Sequence, residues 1–217
     1  MARLNYDIQL KELKVQMMLL GTTIEDVIRN TIAALVNQDT EKAAAIAAGD
    51  GKVNEQVRIL EQQCYTLLLR QQPIAGDLRT VSAALKMLTD MERIGDNGAD
   101  ISELTLLMSG KPYPPEINLV EEMSKETSVM VMEAVDAFAA KDAERAQAVI
   151  DHDDVVDDIF LKIKDSIAES IKCGGSDALQ ELDLLMVAKY LERIGDHATN
   201  IAEWVLFSIS GDFEEVK

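Results

Sequence analysis

The sequence is poor in aromatic residues, which make up 4% of the chain, and it contains only four prolines. Alanine, leucine, isoleucine, methionine and glutamate are abundant instead, and this composition favours helices over sheets. Positive charge is also scarce, since the formal net charge is −18 at pH 7. A surface this acidic repels nucleic acid and anionic lipid, so direct binding of either is not expected. It suits cations, or a basic patch on a partner protein.

Cysteine is almost absent, with Cys64 and Cys173 as the two residues of this type. Their spacing fits neither a metal site nor a redox pair, so we expect reduced thiols. No apolar run approaches the roughly 18 residues that span a bilayer. Met1 leads into charged residues without the pattern of a signal peptide. These absences predict a cytoplasmic protein that meets a membrane only through its partners.

Helical periodicity begins near the start of the chain. Apolar residues from Tyr6 to Ala34 recur in alternating steps of four and three, which predicts one long first helix. Asp39 is expected to cap a second helix, and QQPIAG at 71–76 to end it. A third helix should then extend to Met108.

The strongest helix breaker is KPYPPE at 111–116, near the middle of the chain. Three further helices are predicted after it, the second of them capped by Asp142 and followed by CGGS at 173–176. The predicted organisation is a first three-helix bundle over 1–110, a Pro-rich connection at 111–115 and a second three-helix bundle over 116–217.

The two halves match along their length. Asp39 corresponds to Asp142, and Val53 to Val156, each 103 residues later. ERIGD occurs twice, and Asp96 of the first copy corresponds to Asp196 of the second, 100 residues later. A three-residue deletion in one loop accounts for the change in offset. The sequence therefore predicts an all-α fold, a tandem repeat of two antiparallel three-helix bundles side by side with six helices.

Acidic residues recur at helical spacing in both halves. Glu92, Asp96 and Asp100 are four residues apart and so lie on one side of the third helix. Equivalent positions recur on the sixth helix, and shorter sets lie on the second and fifth. The candidate metal ligands are Asp50, Asn54, Glu92, Asp96 and Asp100 in the first half, and Asp153, Asp157, Glu192, Asp196 and Asn200 in the second.

Antiparallel helices place residues that are equally distant from their connecting loop at one height. The pairs 50/54 and 92/96 are centred on Pro73, in the first loop. The pairs 153/157 and 192/196 are centred inside CGGS. We therefore expect two acidic pairs to face each other across a helix seam in each half.

Two mid-helix glycines accompany these acids. Gly95 and Gly195 each destabilise a helix by about 1 kcal/mol relative to alanine. The favoured explanation is a close approach of two helices at each seam, without a chemical role.

Facing carboxylates repel each other, and a hard cation removes the conflict. Oxygen donors without cysteine suit Mg²⁺, Mn²⁺, Ca²⁺ or iron, and zinc stays among the candidates. The alternative is a solvated acidic face with no bound ion, in which Arg93 and Arg193 neutralise part of the charge. His152 and His197 flank the second site; either could be a ligand, but we favour the interpretation of both as exposed histidines that are not ligands.

Signatures of catalysis are missing. The sequence has no glycine-rich phosphate loop, no GxSxG and no evident pairing of a nucleophile with histidine. The residues three before the two histidines are Val149 and Ile194, so the Glu-x-x-His signature of di-iron bundles is absent. The sequence thus predicts a protein that is not an enzyme.

RQQPIAGDLR at 70–79 followed by MERIGD, together with VAKYLERIGDHATNIAEWV at 187–205, resembles the PhoU family of phosphate-uptake regulators. The resemblance covers nearly the whole chain and implies two similar three-helix bundles. It also implies metal ions at E/D-x-x-x-D motifs. Those motifs fall here on Glu92/Asp96, Asp153/Asp157 and Glu192/Asp196, whereas Asn54 departs from the pattern.

The resemblance implies a role as well. Such a protein negatively regulates phosphate uptake and phosphate-starvation signalling, by linking the ATPase subunit of the phosphate ABC transporter to a sensor histidine kinase. A homodimer is implied in the same way. A metal-storage protein and a metal-dependent phosphohydrolase remain the alternatives. Because bare carboxylates do not hold phosphate, any contact with phosphate or a membrane would run through bound cations.

Overall fold

The computed structural model describes residues 2–49, 51–70, 74–174 and 177–211. All regular structure in these ranges is helical, which confirms the predicted all-α class. No helix there combines the length and the apolar character needed to cross a membrane. The helices are α1 (Ala2–Asn37), α2 (Thr40–Ala48), α3 (Gly51–Arg70), α4 (Ala75–Met108), α5 (Ile117–Ala140), α6 (Ala143–Lys172) and α7 (Ala178–Ser210).

We count α2 and α3 as one rod, because together they occupy the range of the predicted second helix. The seven helices of the described residues then correspond to the six predicted ones. α2 ends at Ala48, and its C-cap is Gly49, whose N–H donates to the carbonyl oxygen of Ile46 at 2.9 Å. A Cβ at Gly49 would lie 2.7 Å from the carbonyl oxygen of Ala45. The corresponding residue of the second half is His152, which lies inside the unbroken α6. The interruption is a difference between the halves that their repetition did not predict.

Both predicted aspartate caps are confirmed. The side chains of Asp39 and Asp142 each accept a hydrogen bond of 3.0 Å from the backbone N–H three residues later. The residues before them, Gln38 and Lys141, have positive φ values of 52° and 57°. The same left-handed turn therefore joins the first two rods of each half.

Four helices form the centre of the molecule, where α1 packs on α5 and α4 packs on α7 across the two halves. α2 and α3 cover α1 and α4, while α6 covers α5 and α7. Buried apolar side chains from all six rods belong to one continuous core. The two bundles thus lie side by side, and α4 meets α7 in the middle.

The segment between the halves is held by both of them. The carbonyl oxygen of Lys111 accepts hydrogen bonds from Gln38 Nε2 at 2.6 Å and from Gln180 Nε2 at 3.3 Å. The ammonium of Lys111 forms an ion pair with Asp177. This anchoring fixes the Pro-rich connection to the first and the second bundle at once.

Candidate metal centre

The seam between α6 and α7 brings together acidic residues of the second half. The helices approach closely at Gly195, where a Cβ would lie 3.3 Å from Asp153 Oδ1 and 3.4 Å from Val156 Cγ1. Asp153 is half-buried, whereas Asp157 and Asp196 are exposed. The close approach predicted from this glycine is confirmed, and Asp153 lies at the point of approach.

Burial and neighbouring negative charges act on two carboxylates of this seam, Asp153 and Asp157. Burial, followed by the negative charges of Asp157 and Asp196, raises the pKa of Asp153 from 3.8 to about 6. Burial and the charge of Asp196 likewise raise the pKa of Asp157. Neighbouring carboxylates shift in this direction when they compete for the charged form. A cation at the seam would stabilise all three.

Glu192, the fourth acid predicted at this seam, forms an ion pair with Lys189. Lys189 Nζ also lies 5.4 Å from the ring centre of Phe160. Its positive charge opposes the rise in the pKa of Asp157. Lys189 therefore neutralises part of the seam, and Glu192 would have to exchange this lysine for a metal ion. The sequence interpretation did not include Lys189, although its spacing of three residues from Glu192 was visible.

Asn200 turns toward the first half. Its amide donates to Asp90 Oδ1 at 3.3 Å, and the same oxygen lies 2.9 Å from His197 Nδ1. Burial and the charge of Asp90 raise the pKa of Glu203, one turn from Asn200. Asn200 thus belongs to a polar contact between α4 and α7. The prediction used only the spacing of residues within the second half, and that spacing did not indicate this contact.

The seam of the first half repeats the geometry of the second. A Cβ at Gly95 would lie 3.0 Å from Val53 Cγ1, and the corresponding contact in the second half joins Gly195 to Val156. The close approach predicted at Gly95 is therefore confirmed. Asn54 follows Val53 and is half-buried. Asp50 lies outside the described residues.

The other predicted donors of the first half lie on one side of α4. Glu92, Asp96 and Asp100 are all half-buried. Asp96 accepts a hydrogen bond of 3.0 Å from Arg93. Its charge is therefore partly neutralised by an arginine of its own helix, in the same way as Glu192 is neutralised by Lys189.

Donors assigned to separate seams share one cleft. Asp96 and Asp100 from α4, and Asp196 and Asn200 from α7, line a space of about 880 Å³ between the halves. The arginines of both ERIGD motifs line it as well. The packing of α4 on α7 creates this cleft, and that packing is a long-range contact that the internal repeat does not specify.

Within the residues that the structure describes, no three His, Cys, Asp or Glu side chains are grouped so as to hold a metal ion. Burial, followed by neighbouring negative charges that include Asp196, nevertheless raises the pKa values of Asp153 and Asp157 at the α6–α7 seam. Metal binding at the ten candidate ligands therefore stays a prediction, and in the second half a metal ion competes with Lys189 for Glu192.

Comparison with known proteins supplies a second line of argument. A family model described as "PhoU domain" matches residues 17–105 and again residues 120–205. A "Phosphate-specific transport system accessory protein PhoU homolog" of Clostridium acetobutylicum is 30% identical over 97% of this chain and 97% of its own length. A protein with the same description from Caulobacter vibrioides is 32% identical over 96% of this chain and 91% of its own length.

Solved structures are similar as well. The crystal structure of PhoU from Pseudomonas aeruginosa has a TM-score of 0.89 at 28% identity, and the match covers 95% of this chain and all of that one. The "phosphate transport system regulatory protein PhoU" from Streptococcus pneumoniae has a TM-score of 0.90 at 25% identity, with 97% and 100% covered. The similarity includes both bundles and their arrangement.

Proposed function

This chain belongs to the PhoU family, and we propose from that membership that it is a cytoplasmic regulator of phosphate homeostasis. The observation that carries the proposal is the double family match, one in each half, with relatives similar over nearly their whole length. Those relatives are named as accessory proteins of a phosphate-specific transport system. The proposed action is negative regulation of phosphate uptake and of phosphate-starvation signalling.

The proposed mechanism is a link between two partners, the ATPase subunit of a phosphate ABC transporter and a sensor histidine kinase. The net charge of −18 supports contact with basic surfaces on such partners. The chain acts in this proposal as a homodimer without catalytic activity of its own. The words "accessory" and "regulatory" in the names of its relatives agree with that role.

Metal ions form the second part of the proposal. In the second half, Asp153, Asp157 and Asp196 bind a hard cation once Glu192 releases Lys189. Oxygen donors of this kind suit Mg²⁺, Mn²⁺, Ca²⁺ or iron. The bound ion reduces the negative charge of the seam, which changes the surface that a partner meets.

A pull-down experiment tests the regulatory role. The purified chain is incubated with the transporter ATPase subunit and with the kinase, with Mg²⁺ or Mn²⁺ and after chelation. We expect both partners to be retained, and retention to fall in the variant Asp153→Asn/Asp196→Asn. Asp165→Asn, which removes an exposed carboxylate from the same helix, serves as the control. Failure to retain either partner, with metal and without it, would contradict the proposal.

Elemental analysis separates the regulator from a metal-storage protein. A regulator should carry a small, fixed number of ions per chain, and Glu192→Ala/Asp196→Ala should lower that number. Many ions per chain, together with no partner in the pull-down, would favour storage. Turnover of phosphoesters with Mg²⁺ or Mn²⁺ would favour a phosphohydrolase, and we expect none.

A further inference from the structure

The second half contains a polar layer that is separate from the acidic seam. It lies at the end of the bundle where α5 and α7 begin and α6 ends. Glu116 precedes α5 and is 7% exposed, and Glu181 lies near the start of α7 and is 1% exposed. Ser166 Oγ donates to Glu116 Oε1, and Ser170 Oγ donates to Glu181 Oε1, each at 2.5 Å. Both glutamates thus use one carboxylate oxygen in a hydrogen bond to α6.

The two serines bring the two carboxylates to the same part of the molecule. Ser166 and Ser170 are four residues apart on α6 and therefore lie on one face, one turn from each other. Glu116 reaches this face from α5, and Glu181 reaches it from α7. The layer lies at the junction of three helices, about 20 Å along α6 from Asp153 at a rise of about 1.5 Å per residue.

The second oxygen of each carboxylate has no partner. Oε2 of Glu116 and Oε2 of Glu181 are both buried, and neither has a hydrogen-bond partner among the described residues. A buried polar atom left in this way destabilises a protein by about 1–3 kcal/mol, and more when it is charged. Two such atoms at one helix junction therefore call for a ligand.

The first half shows that the fold does not need carboxylates here. By the offsets of the repeat, Glu116 corresponds to Leu13, Ser170 to Leu67 and Glu181 to Val81. All three of these first-half residues are buried apolar core residues. Where the second half has Glu116, Ser170 and Glu181, the first half thus has apolar side chains, whereas Ser166 corresponds to the polar Gln63.

Simpler explanations leave part of the arrangement unexplained. Glu116 occupies the N-cap position of α5, but its side chain makes no capping hydrogen bond. Protonation would turn a bare oxygen into a buried hydroxyl donor that still needs an acceptor. A water molecule would satisfy the oxygens but would leave the charge.

We propose that Glu116 and Glu181 bind one hard divalent cation, with their Oε2 atoms as ligands. Two carboxylate oxygens with water in the remaining positions suit Mg²⁺, Mn²⁺ or Ca²⁺. The helix N-termini offset part of the negative charge, and the cation neutralises the rest. The ion joins the starts of α5 and α7 to α6, next to the connection between the halves.

The test uses the full chain with Asp153→Asn/Asp196→Asn and Glu92→Gln/Asp96→Asn, so that neither acidic seam contributes. Isothermal titration with Mg²⁺, Mn²⁺ and Ca²⁺ should show one site per chain for at least one of these ions. Adding Glu116→Gln/Glu181→Gln should weaken that binding at least tenfold. Glu169→Gln, an exposed glutamate on the same stretch of α6, should leave it unchanged.

A second variant takes its residues from the first half. Glu116→Leu/Ser170→Leu/Glu181→Val should fold, as judged by circular dichroism, and should lose both the bound ion and any rise in melting temperature on adding it. Absence of any titratable site in the starting protein would overturn the proposal. Undiminished binding in a folded glutamine or apolar variant would overturn it as well.

Discussion

His197 Nδ1 lies 2.9 Å from Asp90 Oδ1, and this contact joins α7 of the second half to α4 of the first. The two side chains are 25% and 15% exposed. The interpretation of His197 as an exposed histidine is therefore wrong, because the packing of α4 on α7 covers it. His152 is likewise half-buried, with Nε2 2.8 Å from Glu126 Oε2. Both histidines are held by carboxylates.

Removal of the imidazole should weaken the contact between the halves. We expect His197→Ala to lower the free energy of unfolding by about 1–2 kcal/mol, since it leaves Asp90 without its main partner. A double-mutant cycle with Asp90→Asn, measured by urea unfolding, should give a coupling energy of at least about 0.5 kcal/mol. Arg29→Ala, which breaks an exposed ion pair within α1, should change stability by less than about 0.5 kcal/mol. A coupling energy near zero would contradict this account.

Asp153 should give the metal-free protein a distinct pH dependence. Its pKa is about 6 in the native state and 3.8 in the unfolded chain, so the folded protein holds this proton more tightly. The resulting stabilisation is fully present below about pH 4 and is lost as the pH rises through about 6. Asp153→Asn removes this loss. With EDTA present, the stability of the variant relative to wild type should therefore rise between pH 4 and pH 7.

Urea unfolding at several pH values measures that difference. Asp165→Asn, an exposed site on the same helix, should show a difference that does not vary with pH in this window. The same flat result for Asp153→Asn would contradict the raised pKa of Asp153, which burial and then the neighbouring carboxylates cause.

Two glycines of α4 should respond in opposite ways to alanine. A Cβ at Gly98 would lie 2.9 Å from Val27 Cγ1, so α1 and α4 would have to separate slightly. We expect Gly98→Ala to destabilise the protein by about 1–3 kcal/mol. Gly76 has no atom within 4 Å of its added Cβ, and Gly76→Ala should stabilise by up to about 1 kcal/mol. Thermal unfolding distinguishes the two, and a stabilising Gly98→Ala would refute the close packing.

The two cysteines should differ in reactivity. Cys64 is fully buried, and burial with the charge of Glu61 raises the pKa of its thiol to about 12. Cys173 is exposed. Because the thiolate is the reactive form, iodoacetamide should label Cys173 alone in the native protein and both residues in urea. Mass spectrometry counts the labels, and rapid native labelling of Cys64 would contradict its burial.

Local signals were sufficient to predict most of the fold. Apolar periodicity located the rods, and Asp39 and Asp142 marked two helix starts, because each supplies an acceptor to free N–H groups. The family resemblance rested on the repeated ERIGD motif and is confirmed by the double family match. The break at Gly49 was not predicted, since its counterpart His152 continues a helix.

The site was predictable within each half and not between the halves. The register across a short loop placed Asp153 beside α7, as Gly195 shows. The direction of Asn200 toward Asp90 depends on the packing of α4 on α7, which no loop length determines. The buried Glu116 carried a readable signal in its match to Leu13, but burial itself became evident only in the folded chain.

Lys111 offers its carbonyl oxygen to Gln38 in one bundle and to Gln180 in the other. With the apolar interior shared as well, the prolines do not act as a hinge between independent modules. A gene divided at this point should encode two fragments, each of which exposes the apolar surface that the two bundles share in the intact chain. We expect these fragments to fold only when they are expressed together.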